Sequence, residues 1–506
     1  MSSQTLVIFV SVLLLSCATR WIPAVRTRQA LLLAGSYFLY AHLAGAGYLA
    51  LLIASSLMNY CWGVLLRRRP TASLLGAGIA SNVLLLAFFK YMSPLARLWP
   101  GAFSGLDFVH QIVLPLGVSF WTFQALSYLI DTYLEEELEP SVLEFCLYMS
   151  FWPTVASGPV CRLYKMLPRF RKLPGSFGED FSIGAVRIVQ GLFMKFVLSH
   201  LLAAGVSNGG VTAGFNTEGI QRSGFDVWVL AIGFGFQIFF DFAGYSHIVI
   251  GAARMVGIQL EENFNRPYLS TTPAVFWTRW HMSLSFWIRD YLYVPLTTLR
   301  RNRWWHHMTL VIAMVIFGFW HDARLTLILW GIYHGLLLVA HRLGQKLSRR
   351  IPFKLPSPLG ALFSWAATFM LICLGYIPFR ANDVPQALQM MDAVITPGSY
   401  GFAHATLPWD FYLLVLVMVA GYFSYSGLVQ LLSLWKTRRE SIARAQALDE
   451  PHGTWAALSR PILWSYDEIT ARKWWLLAPV LGLLLLLVGL SLLDNSDVAP
   501  FIYTRF

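Results

Sequence analysis

Thirteen apolar runs, many of them close to 20 residues long, follow one another along this 506-residue chain and restrict it to a fold that lives in a membrane. They lie at 5–22, 30–43, 46–66, 73–93, 112–131, 141–157, 183–205, 226–253, 307–320, 325–343, 359–378, 409–433 and 475–493. In hydrocarbon each backbone amide must be bonded within its own segment or to surrounding protein, so runs of this length predict helices. Several are short for a core about 30 Å thick, and such segments can be tilted, re-entrant or buried inside a bundle. The pattern predicts an all-α polytopic membrane protein with about 11–13 membrane segments in a single domain, 1–506. Charged residues make up 13% of the chain, about half the share of a soluble protein. No positive residue precedes the first run and further runs follow at once, so it reads as an uncleaved span.

The net charge of +12 arises from basic residues gathered in loops beside apolar runs. That distribution predicts positive-inside topology and contact with anionic membrane lipid, not nucleic-acid binding. Arg67, Arg68 and Arg69, closed by Pro70, read as cytoplasmic, as does the run CRLYKMLPRFRK from Cys161 to Lys172. Between them lie acidic residues at 135, 136, 137, 139 and 144, which fit the opposite face. The polar stretch 436–473 is too charged to span and is expected to be a cytoplasmic loop with short surface helices. The five cysteines form no CxxC or metal-ligand spacing and read as small buried hydrophobes. No internal repeat is visible, which weakens a transporter built from inverted halves.

Polar residues inside apolar runs are the candidates for function. Asp241 is embedded in Gly233–Ile258 with Gln237, Ser246, His247 and Arg254. A carboxylate there is costly unless paired, so Asp241 either faces a polar interior or pairs with Arg254 or a neighbouring helix. FWPTVASGPV, Phe151 to Val160, breaks helix at Pro153, Gly158 and Pro159. It is either the wall of an internal site or the interfacial end of its span.

The densest pattern is 276–335, which opens FWTRWHMSLSFWIRDYLYVPL, passes a basic break, RRNRWWHH, and closes with GFWHDARLTLILWGIYHG. Arg279, His281, Arg289 and Asp290 interrupt a nearly continuous aromatic series. Arg289 and Asp290 are adjacent, do not share a helical face, and are expected to pair elsewhere. His321 ends an apolar run beside Trp320, with Trp330 as a second bulky wall and Gly318 permitting close helix contact. An imidazole in a low-dielectric interior favours its neutral form, the form a general base must have. Asp322 could orient that imidazole only where the helix breaks. His281 reads as catalytic, acceptor-binding, or a packed polar residue. His306 and His307 read as interfacial loop residues. His334 and His341 share a helix face but lack further metal ligands, so no metal is assigned. No Gly-x-Ser-x-Gly elbow, phosphate loop or dinucleotide fingerprint occurs in a convincing context.

These motifs resemble the membrane-bound O-acyltransferase family, in its bacterial alginate O-acetyltransferase branch, with the teichoic-acid D-alanyl transfer proteins as close cousins. The likeness is carried by FWTRWHMSLSFWIRDYLYVPL, by GFWH followed by LWGIYHG, by FWPTVASGPVCRLYKMLPRF and by the ending FIYTRF. It implies a funnel-shaped helical bundle with an internal tunnel, set in the bacterial inner membrane. The donor, acetyl-CoA or another acyl thioester, would enter from the cytoplasm, with no tightly bound cofactor. The acceptor would be a hydroxyl of an extracytoplasmic polysaccharide, or of a periplasmic or membrane-anchored partner protein. His321 would be the essential histidine and His281 the second. Trp280, Arg289, Asp290 and Tyr291 would line or brace the tunnel, with Asp241 an interior polar residue of the preceding helix; Trp320 and Asp322, beside His321, are further candidates for tunnel or support. Two departures bear on substrate: TTLRRNRWWHH follows Pro295-Leu296 where the branch has a glycine-glycine-asparagine turn, and Asp322-Ala323 follows His321 where it has glycine-alanine. Alginate is therefore not assigned as the substrate. The rivals are a D-alanyl or other short-acyl transferase fed by a carrier protein, a transporter of a lipid-linked sugar, and a catalytically dead structural subunit.

Overall fold

The computed structural model describes residues 21–134, 139–172, 177–217, 222–348, 357–401 and 405–449, with short stretches within 11–19 and 482–489. Most of the last apolar run, and the ending FIYTRF, lie outside the described residues. Among the described residues every regular element is helical and there is no strand. The labelled helices are α1 (Val25–Ala44), α2 (Ala46–Arg68), α3 (Ala72–Leu98), α4 (Val118–Leu134), α5 (Val142–Ser150), α6 (Leu163–Arg171), α7 (Phe177–Phe193) and α8 (Gly224–Met255). After these come α9 (Met282–Ile288), α10 (Arg303–His321), α11 (Leu325–Ser348), α12 (Ser357–Arg380), α13 (Val384–Ile395) and α14 (Trp409–Asp449).

Seven helices among the described residues are long and apolar enough to cross a membrane: α2, α3, α7 with its continuation to Ala204, α8, α11, α12 and the first part of α14. The sequence pattern predicts more, and the shortfall has local causes. The run at 141–157 breaks into α5, one turn at Trp152–Val155 and irregular chain, because Pro153, Gly158 and Pro159 interrupt it. The run at 112–131 begins its helix only at Val118, leaving 17 helical residues. In α10 the first turn is the polar RWWHH, which shortens the apolar part. Here His306 and His307 belong to the helix and not to a loop, because the Asn302 side chain accepts from Trp304 N–H and caps it earlier than the basic run suggests. At the other end, α14 runs unbroken through Lys436 to Asp449, so the first part of the polar stretch is helix; KTRRESIARAQALD holds neither Gly nor Pro. The rest of 436–473 lies outside the described residues. Three cysteines, Cys146, Cys161 and Cys373, are buried, whereas Cys17 and Cys61 are exposed on outward helix faces.

The central pillar is α8, 32 residues and so about 48 Å long. Its most apolar window is 78% buried, so it packs against protein and not lipid around most of its circumference. Against it lies α7, antiparallel, in one register over its whole length. Asp180 pairs with Arg254 at 2.8 Å at one end, and Lys195 pairs with Asp241 at the other. Between the two ion pairs Gly184 meets Gly251 and Gly191 meets Gly244, each glycine lying under the backbone of its opposite number. Side chains of any size there would hold the backbones apart. A second close pair is the α10–α11 hairpin, where Gly318 lies against Leu327, Gly331 against Met314 and Gly335 against Val311.

Sidedness follows from the basic residues. Arg67 and Arg171 line one surface cavity with Glu139 and Glu144, and Arg162 and Arg342 reach the turn at Arg289–Tyr293 on the same face. By the positive-inside rule this face is cytoplasmic. Of the acidic residues, Glu139 and Glu144 do not face away from it, as the charge pattern suggests: Arg171 donates to the Glu139 carbonyl and pairs with Glu144 at 2.7 Å, while 135–137 lie outside the described residues. Acidic residues carry little topological weight, and here local pairing decides their place.

Two outcomes test this architecture. Gly191→Leu should overfill the α7–α8 seam and cost about 1–3 kcal/mol, read as a lowered melting temperature, whereas Gly178→Leu, at a glycine with open space beside it, should be neutral. Arg171, with help from Ser141 and against burial, holds the Glu144 carboxyl down at about 2 from its ordinary 4.5. A depressed carboxylate contributes stability that is complete above the unfolded value and lost as pH falls toward the folded one. Glu144→Gln should therefore flatten the melting-temperature profile between about pH 4.5 and 2 while lowering it at neutral pH.

Candidate active site

The α10–α11 hairpin carries His321 on the last turn of α10, away from the basic face. The carbonyls that end this helix are orphaned by geometry, and α3 satisfies two of them. Tyr91 Oη donates to the Phe319 carbonyl at 3.0 Å with its ring stacked on Phe319, and Lys90 Nζ donates to the Trp320 carbonyl. The same ammonium lies 5.2 Å from the centroid of the Trp320 ring. His321 is buried among Phe317, Trp320, Trp330 and Phe379, with ring centroids 4.9, 4.8, 5.6 and 5.4 Å away. One side remains open: a cavity of about 270 Å³ brings His321, Trp320 and Lys90 together with Ser119, Ala156 and Ser157. Most residues of FWPTVASGPV are buried, and its Ala156 and Ser157 line this cavity. Its Gly158 folds back on Pro153, a contact no side chain would allow.

His281 is fully buried and within electrostatic reach of His321. Its backbone is left-handed, with φ at +42°, where it caps α9. That conformation costs a residue with a Cβ about 1–2 kcal/mol and persists only where neighbours over-determine it. Asn263 does so. Its carbonyl accepts from Met282 N–H at 2.8 Å, and its Oδ1 accepts from Ser283 Oγ at 2.6 Å. Its Nδ2 donates to Ser246 Oγ of α8 at 3.2 Å, while Val160 N–H donates to Ser283 Oγ at 2.9 Å. One clamp thus ties the cavity wall, α8 and the His281 turn together. The imidazole stands edge-on to Phe242 at 4.5 Å, and Trp280 packs at 5.5 Å on Phe276 and 5.2 Å from Phe264.

The remaining predicted residues form a separate polar cluster on the cytoplasmic side. Arg289 and Asp290 pair with each other, Nε to Oδ1 at 2.6 Å, contrary to the divergence expected of neighbours. The helix widens to a π-helical turn at Arg289–Tyr293, and a guanidinium on a long stem reaches back where a short side chain could not. Arg162 completes a triad with Asp290 at 2.6 Å. Tyr291 Oη donates to Asp131 at 2.7 Å, and Arg162 lies 5.1 Å over its ring. Between this cluster and His321 the space is filled by rings in contact: Tyr291 to Trp287 at 5.2 Å, Trp287 to Phe123 at 4.3 Å, Phe123 to Trp320 at 5.1 Å.

Asp241 stands apart, in its ion pair with Lys195 on the α7–α8 seam and not on the cavity. Asp322 does extend out of the helix, but its carboxylate accepts from Ala323 N–H at 2.8 Å and pairs with Arg324 at 3.0 Å, closing the turn. His334 is packed among Trp277, Trp330 and Tyr333, and no group of three or more metal-ligating residues occurs among the described residues. Sequence reasoning missed Lys90, Asn263, Arg162 and Asp131. Of these only Lys90 carries a signal, as the one lysine within the apolar run of α3.

Fold and site together define a polytopic helical membrane protein in which a buried His321 borders a small cavity open to one face, with His281 fully buried within electrostatic reach of it. The profile of the membrane-bound O-acyltransferase family matches residues 77–377, and the chain belongs to that family. A profile of a family of unknown function matches residues 463–506. The chain is 29% identical to a "Probable alginate O-acetylase AlgI" of Pseudomonas aeruginosa, covering 95% of both chains. It is 29% identical to a "Peptidoglycan O-acetyltransferase" of Helicobacter pylori over 74% of this chain and 75% of that one. With a "Teichoic acid D-alanyltransferase" of Streptococcus thermophilus the identity is 32% over 44% of this chain and 56% of the relative. Membership of an acyltransferase family, a multi-pass topology and bacterial relatives place the protein in the bacterial inner membrane.

Asn263→Ala should release the His281 turn while leaving the His321 cavity formed. A displacement near 1 Å at a reacting group costs on the order of 100-fold in rate. Acyl transfer by the purified protein should fall by about that factor with its melting temperature changed far less than by Gly191→Leu.

Proposed function

We propose that this protein moves an acyl group, most simply acetyl, from a cytoplasmic thioester such as acetyl-CoA to a hydroxyl of an extracytoplasmic polysaccharide or of a periplasmic partner protein. The observation that carries the reading is the cavity that exposes His321 beside Lys90 on the side away from the basic face. His321 acts as general base. It takes the proton of the acceptor hydroxyl as that oxygen attacks the thioester carbonyl; the tetrahedral intermediate then expels thiolate, which takes that proton from the His321 imidazolium and leaves as thiol. Lys90 puts positive charge where the carbonyl oxygen becomes negative. His281 holds the substrate side of the centre, and Trp280, Arg289, Asp290 and Tyr291 brace the donor's route. On this reading the aromatic series from Tyr291 to Trp320 parts around the acyl chain to form the tunnel. Asp241 supports the site indirectly, through the α7–α8 seam, and Asp322 and Trp320 shape the mouth.

The test supplies the full-length protein in lipid nanodiscs with radiolabelled acetyl-CoA and a panel of periplasmic glycans, with and without periplasmic extract. Wild-type protein should transfer label, and His321→Ala should lose transfer by about 100- to 10,000-fold with its fold intact. Undiminished transfer by His321→Ala sinks the assignment. Because the chain also resembles a D-alanyltransferase, a parallel arm offers D-alanyl thioester on a carrier protein. Label moving only in that arm replaces acetyl with D-alanyl.

A further inference from the structure

The cytoplasmic ends of α10 and α11 enclose a cavity of about 430 Å³ that the proposed chemistry does not use. Four permanent cations line it, Arg301, Arg303, Arg342 and Lys346, together with His306 and His307. No acidic residue lines it, and among the described residues none of the four cations makes an ion pair. Elsewhere on this face four basic side chains are paired, Arg171 with Glu144, Lys165 with Glu261, Arg187 with Glu262 and Arg162 with Asp290, while Arg68 and Arg69, unpaired among the described residues, stand exposed at a helix end. Four cations held around one concavity repel one another, and a fold keeps that arrangement most readily where an anion sits among them.

The surroundings specify which anion. On the same turns the chain exposes large apolar side chains toward the lipid: Trp304 is 73% exposed, Leu347 61%, Met308 53% and Leu343 45%. Trp304 and Met308 are four residues apart on α10, and Leu343 and Leu347 four apart on α11, so each pair forms a stripe running from the cavity toward the membrane centre. A soluble phosphate compound has no use for these stripes. An acyl chain does, with its headgroup in the cavity and a tryptophan at the level of the interface. We infer that this cavity seats the headgroup of an anionic phospholipid of the inner leaflet. Arg342 donates to Tyr293 Oη at 2.8 Å and lies 5.6 Å from its ring. A bound headgroup therefore also fixes the Arg289–Tyr293 turn, on which the Asp290 cluster is built.

The test is native mass spectrometry of the full-length protein in detergent, titrated separately with phosphatidylglycerol, phosphatidylcholine, ADP and inorganic phosphate. Phosphatidylglycerol should bind in preference to phosphatidylcholine. In Arg303→Gln/Lys346→Gln, both exposed positions, its apparent affinity should fall by about fivefold for each cation removed. The control Arg68→Gln/Arg69→Gln removes the same charge from another part of the basic face and should leave this binding unchanged. Arg342→Gln should weaken binding and Arg342→Lys restore most of it. Equal binding of phosphatidylcholine, equal loss in the control, no loss in Arg303→Gln/Lys346→Gln, or displacement of the lipid by ADP or phosphate each overturns the inference. The last outcome would assign the cavity to a soluble phosphate ligand instead. Unchanged elution and melting temperature of each variant establish that the protein under test is folded.

Discussion

Irregular backbone inside an apolar bundle is tolerated only if its amides are bonded, and the site of this protein rests on that condition being met between Met255 and Met282. The chain leaves α8 and runs back along it: Asn263 bonds Ser246, Phe264 packs against Phe242 and Phe239, and Tyr268 donates to the Gly235 carbonyl. It then returns, with Asn265 N–H donating to the Arg279 carbonyl, and delivers His281 in a left-handed turn. Such a course needs a helix covered by protein along most of its surface. The glycine seam with α7 supplies it, because close backbone packing leaves the opposite face of α8 rigid and free for the loop.

The two histidines reach the centre by different physics. His321 is carried there by a regular hairpin, and its position depends on glycines that let α10 and α11 touch and on α3 side chains that finish the last turn. His281 is carried by strained, irregular chain held in place by one asparagine. The first arrangement is robust to surface change. The second holds a residue with a Cβ in a left-handed conformation, a pattern frequent at functional sites.

The same division governs what could be read from the sequence. The hairpin was legible, since GFWH and LWGIYHG display its glycines and aromatics directly, and so was the burial of both histidines. Partners distant in the chain were not. Asp241 and Lys195 are 46 residues apart, Arg162 and Asp290 128 apart, and Lys90 and Trp320 230 apart, and no local pattern announces such pairs. The pairing of Arg289 with Asp290 was hidden differently, because regular helix geometry forbids what the widened turn allows. The sidedness of Glu139 and Glu144 failed for a third reason: their charge was read as topology, whereas Arg171 settles their place by contact.

The aspartate after His321 shows how a sequence departure changes meaning once its partners are known. Read as a neighbour of the base, Asp322 would add negative charge where an electron-rich carbonyl must approach. In the structure its carboxylate is taken up by Ala323 N–H and Arg324, and Lys90 lies close enough to feel its charge. Asp322 thus lies between Arg324 at the turn and Lys90, which lines the cavity with His321. The departure is therefore absorbed within the turn that closes α10. Under the proposed function, its influence falls on what approaches the cavity and not on the imidazole one residue earlier.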